Sequence, residues 1–491
     1  MYIQLDRSNA RPLYQQLAHD VQQRIRSGAL PAGARLPTVR ELAVQLGVTR
    51  LTVHSAYSEL QAGGWVEATV GRGTFVAKQH DPAPTEHELG REFSPHGMIS
   101  DMLRMAQLPG MRSLAMADPA AELYPTREFA RALEEALVHD PAAMLGYTSS
   151  QGEPLLRTVV AELLRGRGLH AGPDQIVITN GVTQGLALVA RTLANSGDTV
   201  IVEQPTYVGA INILSRQGLR IVGVPIDEQG MQVDALEALL IAQRPRLIYT
   251  IPVFQNPSGV CMSEKRRRAL LALAVRYRVP IVEDDIYAPI AFDCSPPPAL
   301  KADDQNDMVV YLSSFSKSTL AGARIGYIAA APPLVKRLVA TKQADDLCSP
   351  PLMQRAMALF VEHGHYAAHL RRVLPQYRAR RDALLDAMAR YFPSDVDWNA
   401  PEGGFSIWAR LPQGVSTTDL YLAAIERGVA FAPGDFFFAG PPSAPYIRLS
   451  YSAQPPDVLR DVARVIGELL GAQLRRRSFN APALTDYLAL V

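Results

Sequence analysis

The sequence holds little cysteine: three in 491 residues, Cys261, Cys294 and Cys348. They have neither paired spacing nor a neighbouring histidine cluster, so no disulfide framework and no zinc site is suggested, and a reducing cytoplasm is the expected setting. Long apolar runs are missing as well, and the start, Met1-Tyr-Ile-Gln-Leu-Asp6, has no basic segment leading into an apolar one. Both absences argue against a membrane protein and a secretory leader. There is no internal repeat and no low-complexity tract. An excess of one charge sign is lacking too, since the formal net charge is only +1. Bulk charge therefore names no partner, but its distribution is uneven. Residues 1–80 carry nine Lys and Arg against five Asp and Glu, and the remainder 40 against 43.

What is present begins with length, which at about 150 residues per domain allows two or three folding units. Leu13, Leu17, Val21 and Ile25 recur four apart and predict a helix ending at Gly28. Thr38-Val-Arg-Glu41 is a capping-box pattern that opens a second helix with Leu42 and Leu46 on its buried face. Gly47 breaks it, Thr49 can cap a third, and Val53, Ala56, Tyr57 and Leu60 form the third helix's apolar side before Gly63-Gly64. From Trp65 the pattern changes to a hairpin with a glycine-framed basic tip, Gly71-Arg-Gly73. Helices plus hairpin make a winged helix-turn-helix over residues 1–78.

Residues 79–112 have the composition of a linker, with Asp81-Pro-Ala-Pro84 and no sustained period. Beyond it, from 113 to 491, short β-type runs at 176–179, 199–202, 247–251 and 281–282 alternate with longer amphipathic segments. That alternation predicts an α/β domain with a mainly parallel central sheet. The run Arg475-Arg-Arg477 introduces a basic tail that looks separate in character.

In the first unit the outward residues of the third helix, Arg50, Thr52, His54 and Ser55, can all exchange hydrogen bonds with base edges. Arg35, Arg40 and Arg72 fall outside the apolar stripes and suit phosphates. Such residues taken singly are more often ordinary surface charges. Their order is more specific: Pro12-Leu-Tyr14, Gly33-Ala-Arg-Leu-Pro37, Arg40-Glu-Leu-Ala43, Leu46-Gly-Val-Thr-Arg50 and Gly71-Arg-Gly-Thr-Phe75 closely resemble the N-terminal domain of the GntR family of bacterial transcription regulators. The resemblance implies dimeric binding to paired operator half-sites, with Arg50 and its helix reading bases and Thr49 among the DNA-binding residues.

Four separated motifs carry chemistry in the second unit. Ser313-Ser-Phe-Ser-Lys317 with Arg324 offers an amine for a Schiff base, with hydroxyls and a guanidinium for a phosphate. Glu283-Asp-Asp-Ile-Tyr287 follows a strand and supplies a carboxylate for a pyridinium nitrogen. Asn256-Pro-Ser-Gly259 presents an amide from a turn, and Thr179-Asn-Gly-Val-Thr-Gln-Gly185 turns from strand into helix, where free N–H groups hold anions. Each alone is usually a surface turn. Together, and in this order, they resemble the fold-type I aminotransferases over roughly residues 115 to 470. The resemblance implies pyridoxal 5'-phosphate (PLP) as cofactor, with Lys317 as the lysine that forms the internal aldimine. It makes Asp284 the partner of the ring nitrogen, Tyr287 and Asn256 the holders of the 3'-oxygen, and Tyr207 the stacking aromatic. Ser314, Ser316, Arg324, Val182 and Thr183 become phosphate ligands. Val182 departs from the hydroxyl many relatives carry there, leaving only its backbone N–H. Tyr147 corresponds to the tyrosine reaching the phosphate from the other subunit, and Arg448 to the clamp for a substrate carboxylate, a role suited to its planar fork. The acid-to-tyrosine spacing of the family it resembles implies Asp284 and not Asp285, which reads as a structural or solvated neighbour, and Lys265-Arg-Arg-Arg268 reads as a solvated helix face.

The fusion of both halves resembles the MocR-type subgroup of GntR regulators. That implies a head-to-tail homodimer that binds operator DNA and senses PLP itself or a small amino compound through aldimine formation. A second reading remains: a catalytically active aminotransferase carrying a DNA-binding appendage. The sequence leaves open the effector, the operator and target genes, the sign of regulation and the extent of transamination.

Overall fold

A computed structural model describes residues 13–26, 29–31, 33–62, 65–69, 73–77, 110–292 and 294–480. The chain divides into two compact units, and the division falls between residues 93 and 94. Most of the linker expected at 79–112 lies outside the described residues; its last residue, Arg112, already belongs to a short strand of the second unit, β3 (Arg112–Ser113).

In the first unit, helices α1 (Leu13–Arg26), α2 (Val39–Leu46) and α3 (Arg50–Ala62) precede strands β1 (Val66–Thr69) and β2 (Gly73–Val76). The capping box forms as its sequence dictates: Glu41 N donates to Thr38 Oγ1 at 3.2 Å and Thr38 N donates to Glu41 Oε2 at 2.9 Å. Gly47 ends α2 at φ 62°, a left-handed conformation that suits glycine. Leu17, Val21, Leu42, Val53, Ala56 and Leu60 are buried together with Trp65 and Val76, so the three helices and the antiparallel hairpin share one small core. The hairpin's tip lies outside the described residues.

The second unit is built on an eight-stranded sheet. Its strands are β4 (Ile176–Thr179), β5 (Thr199–Gln204), β6 (Arg220–Asp227), β7 (Gly230–Met231), β8 (Leu247–Thr250), β9 (Ile281–Asp284), β10 (Val309–Ser314) and β11 (Gly326–Ala329), in the order β4-β11-β10-β9-β8-β5-β6-β7. Neighbours from β10 through β6 run parallel, while β11 is antiparallel to both its neighbours and β7 to β6. Every residue of β8, β9 and β10 is buried, as expected where helices cover both faces. That explains why 247–251 and 281–282 read as short apolar runs without alternation. A four-stranded antiparallel sheet that includes Ser406–Arg410 and Tyr446–Ser450 packs with helices His365–Tyr391 and Pro456–Asn480 around a separate core.

Two sequence expectations need correction here. The basic run at 265–268 is not one solvated face: Arg267 is buried and Arg266 pairs with Asp227, leaving Lys265 and Arg268 exposed. Nor does Arg475 begin a separate tail, because the helix Pro456–Asn480 runs through it.

Candidate cofactor site and DNA interface

Ligand sites in open α/β sheets form beyond the carboxyl ends of the strands, and the chemistry-bearing residues collect there. A cavity of about 420 Å3 is lined by Val182, Thr183, Tyr207, Asn256, Asp284, Tyr287, Ser316, Lys317, Arg324 and Arg448. The sequence motifs point to eight of them, and the family resemblance adds Tyr207 and Arg448. They arrive from segments far apart in the chain, because β4, β5, β8, β9 and β10 each deliver a different one at its end or in the loop that follows.

Asp284 closes β9 and is fully buried. Its Oδ2 accepts from Tyr249 OH at 2.7 Å, whereas Oδ1 has no hydrogen-bond partner. Burial pushes its carboxyl up to about 7, against the Tyr249 bond, which lowers it. An unpaired buried carboxylate oxygen is costly unless an external donor meets it. Asp285 points elsewhere: it is buried, with Arg167 Nε at 2.8 Å and Tyr311 OH at 2.9 Å on Oδ2. It is thus structural and not solvated.

Beyond β4, Gly181 takes φ +87°, a conformation that side chains rarely adopt, and a Cβ there would lie 2.7 Å from Arg324 Nη2, so glycine suits the turn beside Arg324. The helix Val182–Leu193 starts directly after it with no side-chain cap, which leaves its first N–H groups facing the cavity end. Arg324 donates from Nη2 to Asn180 O at 3.0 Å, and Ser316 hydrogen-bonds Ser314. Ser314 itself does not line the cavity: its hydroxyl donates to Ile325 O at 2.7 Å and accepts from Ser316 N, so it braces the turn that presents Ser316 and Lys317.

Tyr207 precedes the helix Val208–Arg216, and a side chain at Gly209 would collide with its ring. Arg448 on the antiparallel sheet is buried; Nη1 donates to Asn256 Oδ1 at 3.1 Å and Nη2 to Ala115 O, but Nε has no partner. Its guanidinium carbon lies 4.9 Å from the centroid of the Phe437 ring. Tyr147 is 86% exposed and absent from the cavity lining of this single chain. The sequence reading missed Asp118, which lines the cavity and accepts from Lys317 Nζ at 2.8 Å. An isolated acid in Met-Ala-Asp-Pro carries no motif signal; only the fold brings it to Lys317.

In the first unit, Thr49 Oγ1 accepts from Thr52 N at 3.1 Å, so it caps α3 as expected. Arg50 and His54 on α3 are exposed, as are Arg35 and Arg40, and Thr52 is half-buried. Arg35 lies against the hairpin, its Nε 3.1 Å from the position a Cβ at Gly73 would take. Arg72 lies outside the described residues. Leu51, unremarked in the sequence reading, is 73% exposed beside Arg50.

Comparison with known proteins places each unit. The model of the aminotransferase class I and II family matches residues 115–466, and that of the bacterial regulatory proteins of the gntR family matches 13–76. The chain thus belongs to the GntR-type transcription regulators with an aminotransferase-like domain, the MocR type. Among its relatives, the probable rhizopine catabolism regulatory protein MocR of Rhizobium meliloti is 32% identical over 93% of both chains. Aromatic-amino-acid aminotransferase 1 of Thermococcus litoralis is 35% identical over 80% of this chain and 95% of its own. Among solved structures, the alpha-aminoadipate aminotransferase LysN of Thermus thermophilus, complexed with N-(5'-phosphopyridoxyl)-L-leucine, superposes with a TM-score of 0.72 at 35% identity, covering 76% of this chain and 95% of that one. Among the described residues no helix is long and apolar enough to cross a membrane.

Proposed function

We propose that this regulator binds PLP on Lys317 and uses it to sense a primary amine, whose capture changes operator affinity. One observation carries the reading: the unpaired, fully buried Asp284 Oδ1 lies in the same cavity as the Lys317 amine. The donor set fits the cofactor at both ends. Asp284 would hold the proton on a ring nitrogen, and Tyr207 would cover a ring face. Arg324, Ser316, Thr183 and the helix end at Val182 would take the phosphate. When bound, PLP supplies an aldehyde that condenses reversibly with amines. Tyr287 and Asn256 would steady the ring oxygen, and the unpaired Nε of Arg448 offers a donor to an effector carboxylate.

Linkage supplies the regulation. An effector favours whichever conformation it binds better, and couplings of about 1 to 3 kcal/mol suffice to alter DNA affinity several-fold or more. Arg50, Thr52 and His54 would read bases; Arg35, Arg40 and Arg72 would contact phosphates. Tyr147, exposed in one chain, would complete the phosphate site of the other in a head-to-tail homodimer.

The test is spectroscopic. The purified full-length protein, supplied with PLP, is expected to show a visible absorption band that borohydride fixes irreversibly and that Lys317→Ala lacks. A colourless wild type after reconstitution overturns the reading. The presence of Lys317, Asp284 and Arg448 together favours the second reading, an aminotransferase with a DNA-binding appendage. Turnover of an amino donor and a keto acid on the order of 1 per second or faster would establish it.

A further inference from the structure

Asp118 has a defined setting that the proposed cofactor site leaves unused. It belongs to the segment by which the described chain enters the second unit, and the backbone of that segment is tied down. Ser450 N donates to Leu114 O at 2.9 Å, Arg448 donates to Ala115 O, and Ser452 Oγ donates to Asp118 O at 2.6 Å. Its side chain turns into the cavity, where Oδ1 accepts from Lys317 Nζ. Burial pushes its carboxyl up, yet Lys317, Arg448 and Arg324 outweigh burial and leave it below the ordinary carboxylate range. A carboxylate fixed by its backbone at the tip of the Lys317 side chain is arranged to receive an ammonium.

We propose that Asp118 receives the Lys317 ammonium set free when an effector amine takes its place, and so biases the site toward the effector-bound state. This rests on the reading that Lys317 carries the cofactor. The exchange balances. The incoming ammonium would first give up one proton, the free amine would then form the new carbon–nitrogen double bond to the aldehyde carbon as the bond to Lys317 breaks, and the two protons it sheds in all would end on the departing nitrogen. Lys317, which held one proton while bonded, leaves with three. No net proton, oxidant or reductant is needed. A nitrogen with three N–H donors is a better partner for Asp118 than one with a single donor, and only such a difference between states can shift an equilibrium. Asp118 is a positioning residue here, since it acts through Lys317.

The experiment uses full-length protein loaded with PLP, titrated with n-propylamine while the visible band is followed. The Asp118 side chain is 46% exposed, so solvent weakens the pair and the expected effect is moderate. Asp118→Asn should raise the apparent Kd on the order of fivefold to tenfold, and Asp118→Glu, which keeps the charge, should recover part of it. Equal affinity in wild type and Asp118→Asn, with the band present in both, overturns this inference and leaves the cofactor reading standing. A wild type without any band overturns the cofactor reading and this inference with it. An equal loss in the Glu variant would mark a packing effect and overturn the receiver role. So would a loss seen with 1,3-diaminopropane but not with n-propylamine, which would make Asp118 a reader of ligand charge.

Discussion

The cavity around Lys317 and the face of α3 solve opposite problems. The cavity gathers residues from Asp118 to Arg448 and buries most of them against one another, so any group left unpaired stands out. Asp284 Oδ1 and Arg448 Nε do so. The α3 face comes from one short stretch of chain and stays open to solvent, with Arg50 and His54 exposed. Its polar groups are satisfied by water until DNA replaces it, so nothing inside the protein strains toward the missing partner. A site for a small buried ligand is therefore written into the protein's own unsatisfied atoms. A site for a large external one is written only in shape and charge.

The largest effect that could sharpen this contrast is at Asp284. Removing the charge of one partner in a buried pair costs about 3 kcal/mol, so Asp284→Asn should weaken PLP binding on the order of 100-fold, measured by equilibrium titration of the visible band. Unchanged affinity would mean that the unpaired Oδ1 has no ligand to meet, and the contrast with the open helix face would fail. The counterpart on the reader is Arg50→Ala, with an expected loss of about 1 to 3 kcal/mol in discrimination between operator and random DNA. The measurement is competitive binding at fixed salt. Arg40→Ala should instead weaken both DNAs alike and flatten the salt dependence by about one contact.

The two regions also differ in how much the sequence disclosed. The reader's fold was legible almost residue by residue, because its determinants are local: the Thr38 capping box, the left-handed Gly47 and the four-apart apolar stripes act within a few positions. The cavity was legible only through motifs, each a strand end with a reactive side chain. Where a motif spans a turn, its members separate in role, so Ser316 lines the cavity while Ser314 braces the turn. Asp118 was illegible because its meaning is a contact across the chain with Lys317. The buried Arg267 was misread for a related reason. Its run of basic neighbours suggests solvent, but its surroundings contain Glu283 and Asp285, which a linear reading cannot place beside it.

A smaller effect concerns pH. Burial raises Glu203, Glu283 and Asp284 each to about 7. In the unfolded chain such carboxyls titrate near 4, so the folded form binds more protons between roughly pH 4 and 7. Stability contributed by these groups is present at low pH and is lost as pH rises through about 7. Between pH 6 and 8 the loss is about 1 kcal/mol per group. The cofactor-free protein should show this as a lower Tm of the second unit at pH 8 than at pH 6. PLP should narrow the gap, because a ring N–H beside Asp284 compensates its charge. A gap that PLP leaves unchanged would remove Asp284 from the cofactor's contacts.

The smallest effect tests whether the regions are as separable as their construction implies. Thr38 supplies half of the capping box on an eight-residue helix, and a cap of this kind contributes about 1 kcal/mol. In a domain of fewer than 100 residues that lowers Tm by roughly 4 to 8 °C. Thr38→Ala should therefore shift an early, small unfolding transition and leave the later one, from the second unit, where it was. Differential scanning calorimetry resolves the two. Because Thr38 caps the start of α2, a whole helix ahead of α3, and is in none of the predicted base contacts, operator discrimination at low temperature should survive the substitution. If instead both transitions moved together, the stability of the reader would depend on the domain that holds Lys317, and the same coupling that melts them together would be available to carry an effector's signal to the DNA.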